Sequence, residues 1–271
     1  MRGWISSATQ TYAVNNGIAY IPTGGVEYEE TEDSVTITKW TNNSWSITIP
    51  AQINGKPVTV IGKNAFRGLN GLEDVYFPST LKEIQSYAFM NSSARDMTIP
   101  ASVEKIGNMA FYNSRYGGYL TSEFVILGGG VLYDYNGSAE EVVIPSSVKR
   151  IGNDAFAYHS EITSITVPES VVEVCDGAFY RCSSLSKIEL PDSVETISVG
   201  AFTDCSSLKT VVIGKGIQAI DAYAFHDCES LTAFYGYADT YTETFAKEIG
   251  CYFEAFEEVI EEPVEEDAVT E

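Results

Sequence analysis

The sequence repeats itself with a period of 23 residues. The pair Ala-Phe occurs seven times in phase, at intervals of 23, 22, 45, 23, 23 and 23 residues, and the interval of 45 is close to two periods. Four residues before each alanine stands Ile or Val, and six of the nine prolines close short apolar stretches such as "ITIP" and "VVIP". The pairs begin at Ala65, Ala88, Ala110, Ala155, Ala178, Ala201 and Ala224. Self-similarity of this kind is the signature of a stack of repeated units.

Each unit combines a short strand with a tight turn. The Ile-x-Ile-Pro part alternates with a period of two, as a half-buried strand does, and proline ends it because it cannot donate a ladder hydrogen bond. The Ile-Gly-x-x-Ala-Phe part is too short for a long helix and fits one helical or 3₁₀ turn. Such a unit cannot bury its apolar face alone, so copies must stack. We therefore predict an α/β-type repeat solenoid, a right-handed superhelix with parallel strands on one face, short helical or 3₁₀ turns on the other and a cap at each end.

The units in residues 167–214, "VPESVVEVCDGAFYRCSSLSKIELPDSVETISVGAFTDCSSLKTVVIG", carry a family resemblance. They resemble the BspA-like leucine-rich repeats of bacterial surface proteins, whose short units also end in "IP", and the resemblance extends over residues 31–256. It implies a leucine-rich-repeat fold, exposure at the cell surface and interaction with partners that vary. It names no particular ligand.

The periodicity also predicts the organisation of the chain. The 45-residue interval holds an irregular, hairpin-like unit, and we expect its turn at Asn136-Gly137, a strong hairpin dipeptide. Near the end, Thr242 to Ile249 reads as a short amphipathic helix with Phe245 and Ile249 inward, ended by Gly250. The predicted segments are an N-terminal extension (1–27), an N-terminal cap hairpin (28–50), the solenoid (51–237) with its irregular unit (115–145), a C-terminal cap (238–256) and an acidic disordered tail (257–271).

Charge and hydropathy exclude two classes of partner. The chain has 16 Lys and Arg against 38 Asp and Glu, a formal net charge of −22, so its surface repels nucleic acid. No stretch approaches the ~18 apolar residues of a membrane span, so we expect no direct membrane insertion. The opening "MRGWISSATQ" lacks the apolar core of a signal peptide. We expect a secreted or cell-surface monomer whose signal peptide has been removed.

Three cysteines, Cys182, Cys205 and Cys228, recur 23 residues apart. A structural zinc site would need Cys-x₂-Cys pairs, which are absent, and a disulfide would leave one of the three unpaired. We favour three buried, unreactive side chains stacked in the core over a disulfide, a metal or a redox site, and we predict no cofactor and no metal. His159 precedes Cys182 by one period, and this is the only pair that suggests a Cys/His hydrolase. It lacks an apparent orienting acid, so we predict that the protein is not an enzyme.

The residues that point outward from the strands are the predicted binding surface. Solenoids recognise partners through such stacked side chains, and the row here is polar with aromatic points. We expect a host or matrix protein, another cell-surface protein or a glycan as the partner. The alternative is a structural spacer that presents a neighbouring domain. The predicted ligand-binding residues are Tyr76, Phe124, Tyr133, Tyr135, Thr166, Lys187, Glu189 and Tyr235.

Overall fold

The computed structural model describes residues 25–41 and 44–256. The predicted acidic tail and nearly all of the predicted N-terminal extension therefore lie outside the described residues. Within them the chain forms short strands, one 3₁₀ turn at Gly117–Tyr119 and one α-helix. The elements are β1 (Val26–Glu30), β2 (Val35–Trp40), β3 (Ser46–Thr48), β4 (Gln52–Ile53), β5 (Lys56–Ile61), β6 (Asp74–Tyr76), β7 (Glu83–Ile84), β8 (Asp96–Met97), β9 (Lys105–Ile106), β10 (Phe124–Leu127), β11 (Val131–Tyr135), β12 (Glu141–Val143), β13 (Arg150–Ile151), β14 (Ser164–Thr166), β15 (Glu173–Val174), β16 (Lys187–Leu190), β17 (Thr196–Ile197), β18 (Thr210–Ile213), β19 (Ala219–Ile220), β20 (Ala233–Gly236), α1 (Tyr241–Glu248) and β21 (Tyr252–Ala255).

Each coil of the solenoid contributes a strand to two parallel ladders. The Ile-Pro ladder contains the strands that precede the prolines, in the order β3-β6-β8 and then β12-β14-β16-β18-β20-β21. The Ile-Gly ladder contains the strands at the Ile before the turn, most of them two residues long, in the order β2-β5-β7-β9 and then β11-β13-β15-β17-β19. The predicted leucine-rich-repeat solenoid is confirmed. The second ladder was not predicted, because a strand of two residues shows no alternation.

The Ala-Phe turns stack through a third set of backbone hydrogen bonds. The Phe66 N–H donates to the Ala88 carbonyl at 2.8 Å, and the Phe89 N–H donates to the Ala110 carbonyl at 2.8 Å. In six of the seven turns, positive φ angles occur directly before the alanine and three residues after it, as at Asn64 (φ 62°) and Gly68 (φ 69°). The alternating hand of the backbone points every second N–H group along the solenoid axis, so the turns pair with each other almost as strands do.

The aromatic rings of the turns form a stack inside the solenoid. Neighbouring rings such as Phe66 and Phe89 lie 4.7 Å apart and nearly parallel, and Phe202 and Phe225 lie 4.9 Å apart. Trp40 covers the first ring of the stack at 5.5 Å. Offset aromatic contacts of this kind add to the burial of apolar area, which is the main stabilising term of the fold.

The irregular unit interrupts both ladders. β10 and β11 pair with each other in antiparallel fashion, and their turn lies at Gly128–Gly130, where Gly128 and Gly130 take positive φ. The predicted turn at Asn136-Gly137 is wrong, because Asn136 Nδ2 instead donates to the Leu120 and Ser122 carbonyls and holds a loop. The buried side chains divide at the same place, with Val131 in one core cluster and Leu132 in the other. We call this interruption the seam.

The C-terminal end is covered by α1 and β21. Phe245 of α1 is buried against Phe225 and Phe234, at ring distances of 6.0 and 5.9 Å. The predicted inward position of Ile249 is wrong, since its side chain is 41% exposed just beyond the end of α1. Gly250 follows with a φ of 75°, as expected where glycine ends a helix. β21 then adds a parallel strand to β20, which the sequence pattern did not predict.

Candidate binding surfaces and the seam cleft

The Ile-Pro ladder aligns the predicted outward residues into one row. Thr166 lies opposite Glu189 in the register of β14 and β16, and Glu189 lies opposite Val212 in β18. Tyr235 continues the row on β20, and Thr166 and Glu189 are exposed. The row is formed by Val143, Thr166, Glu189, Val212 and Tyr235, and we call it the outward row.

Two further predicted residues lie on the same face. Lys187 is exposed beside the outward row, and its ammonium group forms an ion pair with Glu189 on the same strand. Tyr76 lies on β6, before the seam, and is 59% exposed. Whether these residues bind a ligand stays a prediction, but the fold places Tyr76, Thr166, Lys187 and Glu189 where a partner can reach them.

The prediction that Phe124 and Tyr135 are exposed for ligand binding is wrong. Tyr135 is only 2% exposed, because it takes the place of the missing phenylalanine in the aromatic stack and contacts Phe156 at 5.1 Å. Phe124 lies on β10, which belongs to the other ladder, and packs half-buried on the Tyr135 ring at 5.0 Å. Both residues therefore serve the core of the irregular unit.

Cys182 and Cys205 are buried, as the spacing predicted, and Cys228 is half-buried. Cys182 and Cys205 are free thiols with no exposed surface, and each donates to a phenylalanine carbonyl of the preceding unit at 3.1 Å. Burial raises the pKa of the Cys182 thiol to about 12. A hydrogen-bonding contact with the Cys228 thiol, together with burial, raises the pKa of the Cys205 thiol. A thiol that holds its proton this firmly is a poor nucleophile.

The histidine of the predicted hydrolase pair is also engaged elsewhere. His159 Nδ1 lies 2.7 Å from a carboxylate oxygen of Glu161, and Nε2 lies 2.9 Å from the Tyr135 carbonyl. Neither ring nitrogen contacts the Cys182 sulfur, which is bonded to the Phe156 carbonyl. Among the described residues, no group of three or more His, Cys, Asp and Glu side chains is placed to hold a metal ion.

The seam opens a cleft of about 550 Å³ on the turn side of the solenoid. One wall is the turn that contains Phe111, and the other is the turn that contains Phe156. Tyr133 lies on its floor, half-buried, where its hydroxyl accepts a hydrogen bond from the Phe111 N–H at 3.2 Å and burial raises its pKa to about 12. We call this space the seam cleft; it is lined by Asn108, Met109, Tyr112, Asp134, Asp154 and Tyr158 among others.

A second depression lies on the face of the Ile-Gly ladder. It encloses about 440 Å³ and is lined by charges of both signs. Arg150 and Glu173 form an ion pair of 2.8 Å across β13 and β15, and both side chains are mostly buried. Cys175 lies beside them, and burial raises the pKa of its thiol to about 12. Of the other lining charges, Glu104 pairs with Lys82, whereas Lys63, Glu83, Lys105 and Asp176 form no ion pair with another described residue.

The sequence contained one signal for the seam cleft, the 45-residue interval. That interval showed that one Ala-Phe turn is missing, but it did not show which side of the solenoid would be left open. The path of β11, which crosses beneath the position of the missing turn, determines which side is open.

Comparison with known proteins agrees with this architecture. A family model described as "BspA type Leucine rich repeat region" matches six copies, at residues 39–121 and 131–247. The chain belongs to this family. The unmatched residues 122–130 hold β10 and the glycine turn, so the BspA-type repeat model stops and restarts at the seam.

Several solved structures are similar to this BspA-type repeat protein. A leucine-rich cell surface protein from Faecalibacterium prausnitzii is 19% identical, with 84% of this chain and 96% of that chain covered and a TM-score of 0.41. A leucine-rich repeat protein from T. pallidum is 24% identical, with 86% and 97% covered and a TM-score of 0.38. The pneumococcal vaccine antigen PcpA is 15% identical, with 88% and 98% covered and a TM-score of 0.37.

No curated protein matches the chain. In the described part of the chain, no helix is long and apolar enough to cross a bilayer.

Proposed function

We propose that this BspA-type repeat protein is a non-catalytic recognition module that acts at the cell surface or after secretion. It binds a host or matrix protein, another cell-surface protein or a glycan through the outward row and through Tyr76, which lies on the same strand face before the seam. The observation that supports this best is the register of the Ile-Pro ladder, which holds exposed side chains of successive units side by side. A partner then meets a preformed surface, and no loop has to become ordered on binding.

The composition of this face suits a protein or glycan partner. Tyr76 and Tyr235 offer rings with polar ends, Val143 is 68% exposed, and Thr166, Lys187 and Glu189 supply hydrogen-bonding groups. Exposed aromatic side chains are frequent centres of binding energy. The buried thiol of Cys182 and the engaged ring of His159 speak against the hydrolase alternative.

The test is a binding screen of the full chain against arrays of matrix proteins and glycans. We expect Tyr76→Ala to weaken the binding of any partner found by about tenfold, which corresponds to ~1.4 kcal/mol. Tyr223→Ala is the matched control, because Tyr223 is 62% exposed but lies on the turn side. The spacer alternative is favoured instead if no partner binds better than to a chain whose outward row has been changed to serine.

A further inference from the structure

The seam cleft lies where one Ala-Phe turn is missing from the stack of turns. In a regular pair of turns, three N–H groups of one turn donate to three carbonyls of the next: Asn64, Phe66 and Gly68 donate to Ser86, Ala88 and Met90 at 3.4, 2.8 and 2.9 Å. The seam separates the turn of Phe111 from the turn of Phe156 by 45 residues in place of 23. Between them runs β11, which replaces only the inner part of a turn.

β11 provides hydrogen-bond partners for the central backbone groups of the two turns and none for the flanking backbone groups. The Tyr133 hydroxyl accepts from the Phe111 N–H at 3.2 Å, and the Tyr135 N–H donates to the Ala155 carbonyl at 3.0 Å. The flanking N–H groups of Met109 and Asn113 make no hydrogen bond to another described residue.

The opposite wall shows the complementary pattern. The flanking carbonyls of Asn153 and Ala157 likewise accept none from the described part of the chain. One wall of the cleft therefore presents backbone donors and the facing wall presents backbone acceptors. An inserted main chain offers both kinds of group, as in the addition of a strand to an open sheet edge.

The side chains of the seam cleft favour a positive charge. Asp134 and Asp154 line it, and no Lys or Arg lines this described cleft. Asp154 accepts a hydrogen bond from the Asn108 side-chain amide across the gap. Burial raises the pKa of Asp134, and burial together with the charge of Asp176 raises the pKa of Asp154. A cation beside these carboxylates would offset the cost of keeping them ionised in a half-buried place.

Aromatic rings complete the site. The Tyr112 side chain is 56% exposed at the rim. The rings of Tyr158 and Tyr180 already contact the guanidinium of Arg181, at 5.8 and 5.2 Å, which shows that cations pack on this side of the solenoid. The charge of Arg181 is itself paired with Asp204 at 3.0 Å. Tyr112 is therefore the ring that remains free to contact a bound cation.

We propose that the seam cleft binds an extended peptide segment that carries a Lys or Arg side chain. The peptide main chain accepts from the N–H groups of Met109 and Asn113 and donates to the carbonyls of Asn153 and Ala157. Its cationic side chain lies beside Asp134 and Asp154, against the ring of Tyr112. This site is separate from the outward row and does not depend on the function proposed for that row.

The first experiment selects ligands with the full chain as the target. A phage-displayed library of random linear dodecapeptides is the probe, and the selected peptides are then synthesised and titrated by calorimetry. We expect the selected peptides to contain Lys or Arg and to bind more weakly as salt is raised, because charges attract less under screening. The proposal is overturned if no peptide is enriched, or if the selected peptides are neutral or acidic.

Variants of the cleft then locate the site. Asp154→Asn should weaken peptide binding at least tenfold while keeping the fold, since Asp154 has a φ of 57° and asparagine accepts positive φ well. Tyr112→Ala should also weaken it. Asp74→Asn on the Ile-Pro ladder and Tyr76→Ala on the strand face are the controls, and both should bind the peptide normally. Equal affinity in wild type and Asp154→Asn contradicts the proposal.

A modified peptide tests the backbone pairing. N-methylation of amides in the central part of the selected peptide removes the N–H groups that would donate to Asn153 and Ala157. We expect one such position to lose at least tenfold in affinity, whereas methylation at the peptide ends should have little effect. Uniform insensitivity to N-methylation overturns the inserted-rung geometry. Binding of a neutral oligosaccharide that Tyr112→Ala abolishes, with no peptide bound, would assign the cleft to glycans instead.

Discussion

At the scale of single residues, the repeated slot four positions after each alanine shows how one position serves the whole stack. The slot holds Cys182, Cys205 and Cys228 in consecutive units, and Ser92 and Ser114 in earlier ones. Each of the three thiols donates to a phenylalanine carbonyl of the preceding unit at 3.0 to 3.1 Å. In these three units a thiol fits there, because it packs against the core and also donates to a carbonyl of the preceding unit, whereas the same slot holds Leu69 and His159 elsewhere.

Cys205→Ala should destabilise the protein by about 1–2 kcal/mol. The change removes a fully buried sulfur and leaves a small cavity beside the Phe179 carbonyl. Urea unfolding measures the loss. Cys251→Ala is the comparison, because the Cys251 thiol is only partly buried and lies 3.9 Å from its nearest acceptor, and it should cost less. An unchanged stability in Cys205→Ala, or binding lost while the fold is kept, would reopen a chemical role for this rung.

Alkaline pH should destabilise the fold through the buried thiols. The pKa of Cys182 is about 12 in the folded chain and about 9 when exposed, so the folded state keeps a proton that the unfolded state releases. Stability is therefore unaffected below pH 9 and falls as pH rises from 9 towards 12, by up to ~1.4 kcal/mol per pH unit for one thiol.

Urea unfolding at about pH 8.0, 9.5 and 10.5 tests this effect, because these values span the onset of the window in which stability falls. Cys182→Ala lacks the titrating group but keeps the tyrosines and lysines, so its stability should fall less steeply than that of the wild type. Parallel slopes for the two proteins would show that the Cys182 thiol does not contribute.

The sequence predicted the burial of this slot but not its hydrogen bonds. Periodicity places Cys182 one rung above His159, and this adjacency suggested a catalytic pair. The structure shows that the His159 ring forms hydrogen bonds with Glu161 and the Tyr135 carbonyl, whereas the Cys182 thiol donates to the Phe156 carbonyl. Repeat spacing gives the neighbours in the stack, whereas the orientation of a side chain depends on which carbonyl the turn leaves open.

At the scale of elements, the regular strands and turns could be predicted because each repeats a strong local pattern. The strands before the prolines and the Ala-Phe turns lie where the pattern placed them. The two-residue strands of the Ile-Gly ladder escaped prediction, since their hydrogen bonds come from neighbouring coils. β21 escaped for the same reason, because "YFEA" becomes a strand only when β20 offers its edge.

The irregular unit was the hardest element to predict. Both Gly128–Gly130 and Asn136-Gly137 carry turn chemistry, and the local sequence does not decide between them. Tertiary contacts decide, since Tyr135 packs into the aromatic stack against Phe156 and the Asn136 side chain donates to the Leu120 and Ser122 carbonyls. Exposure followed the same rule, because the predicted residues that the fold leaves exposed, such as Tyr76, Thr166 and Glu189, lie in regular units.

The C-terminal cap makes a separate prediction. Phe245→Ala should destabilise the protein by about 3–5 kcal/mol, since the ring covers the end of the core against Phe225 and Phe234. Ile249→Ala should cost under about 0.5 kcal/mol, because this side chain is largely in water. Chemical denaturation of both variants gives the comparison. Equal losses would mean that α1 does not seal the solenoid in the way the structure shows.

At the scale of the whole molecule, the seam divides the solenoid into two blocks. Among the described residues, 23 buried side chains form the core before the seam and 34 form the core after it. Both ladders stop at the seam and restart beyond it. Contacts across it include the Phe111 N–H to the Tyr133 hydroxyl, the Asn108 amide to Asp154 and the Gly129 N–H to the Val103 carbonyl. In a solenoid each unit is stabilised by its contacts with the neighbouring units. An interface at which both ladders are interrupted therefore separates cooperative blocks.

We therefore expect the two blocks to unfold at different denaturant concentrations, the smaller N-terminal block first. Trp40 and Trp45 lie before the seam in the described residues, so with Trp4, which lies outside them, changed to Phe, tryptophan fluorescence reports only on that block, whereas far-ultraviolet circular dichroism reports on both. The fluorescence midpoint should fall below the midpoint of the main dichroism change.

Phe89→Ala should lower the fluorescence midpoint further and leave the second transition in place, because Phe89 packs only within the N-terminal core. Coincident transitions by both probes, in the wild type and in this variant, would show instead that the Phe111–Tyr133 and Asn108–Asp154 contacts couple the blocks into one cooperative unit.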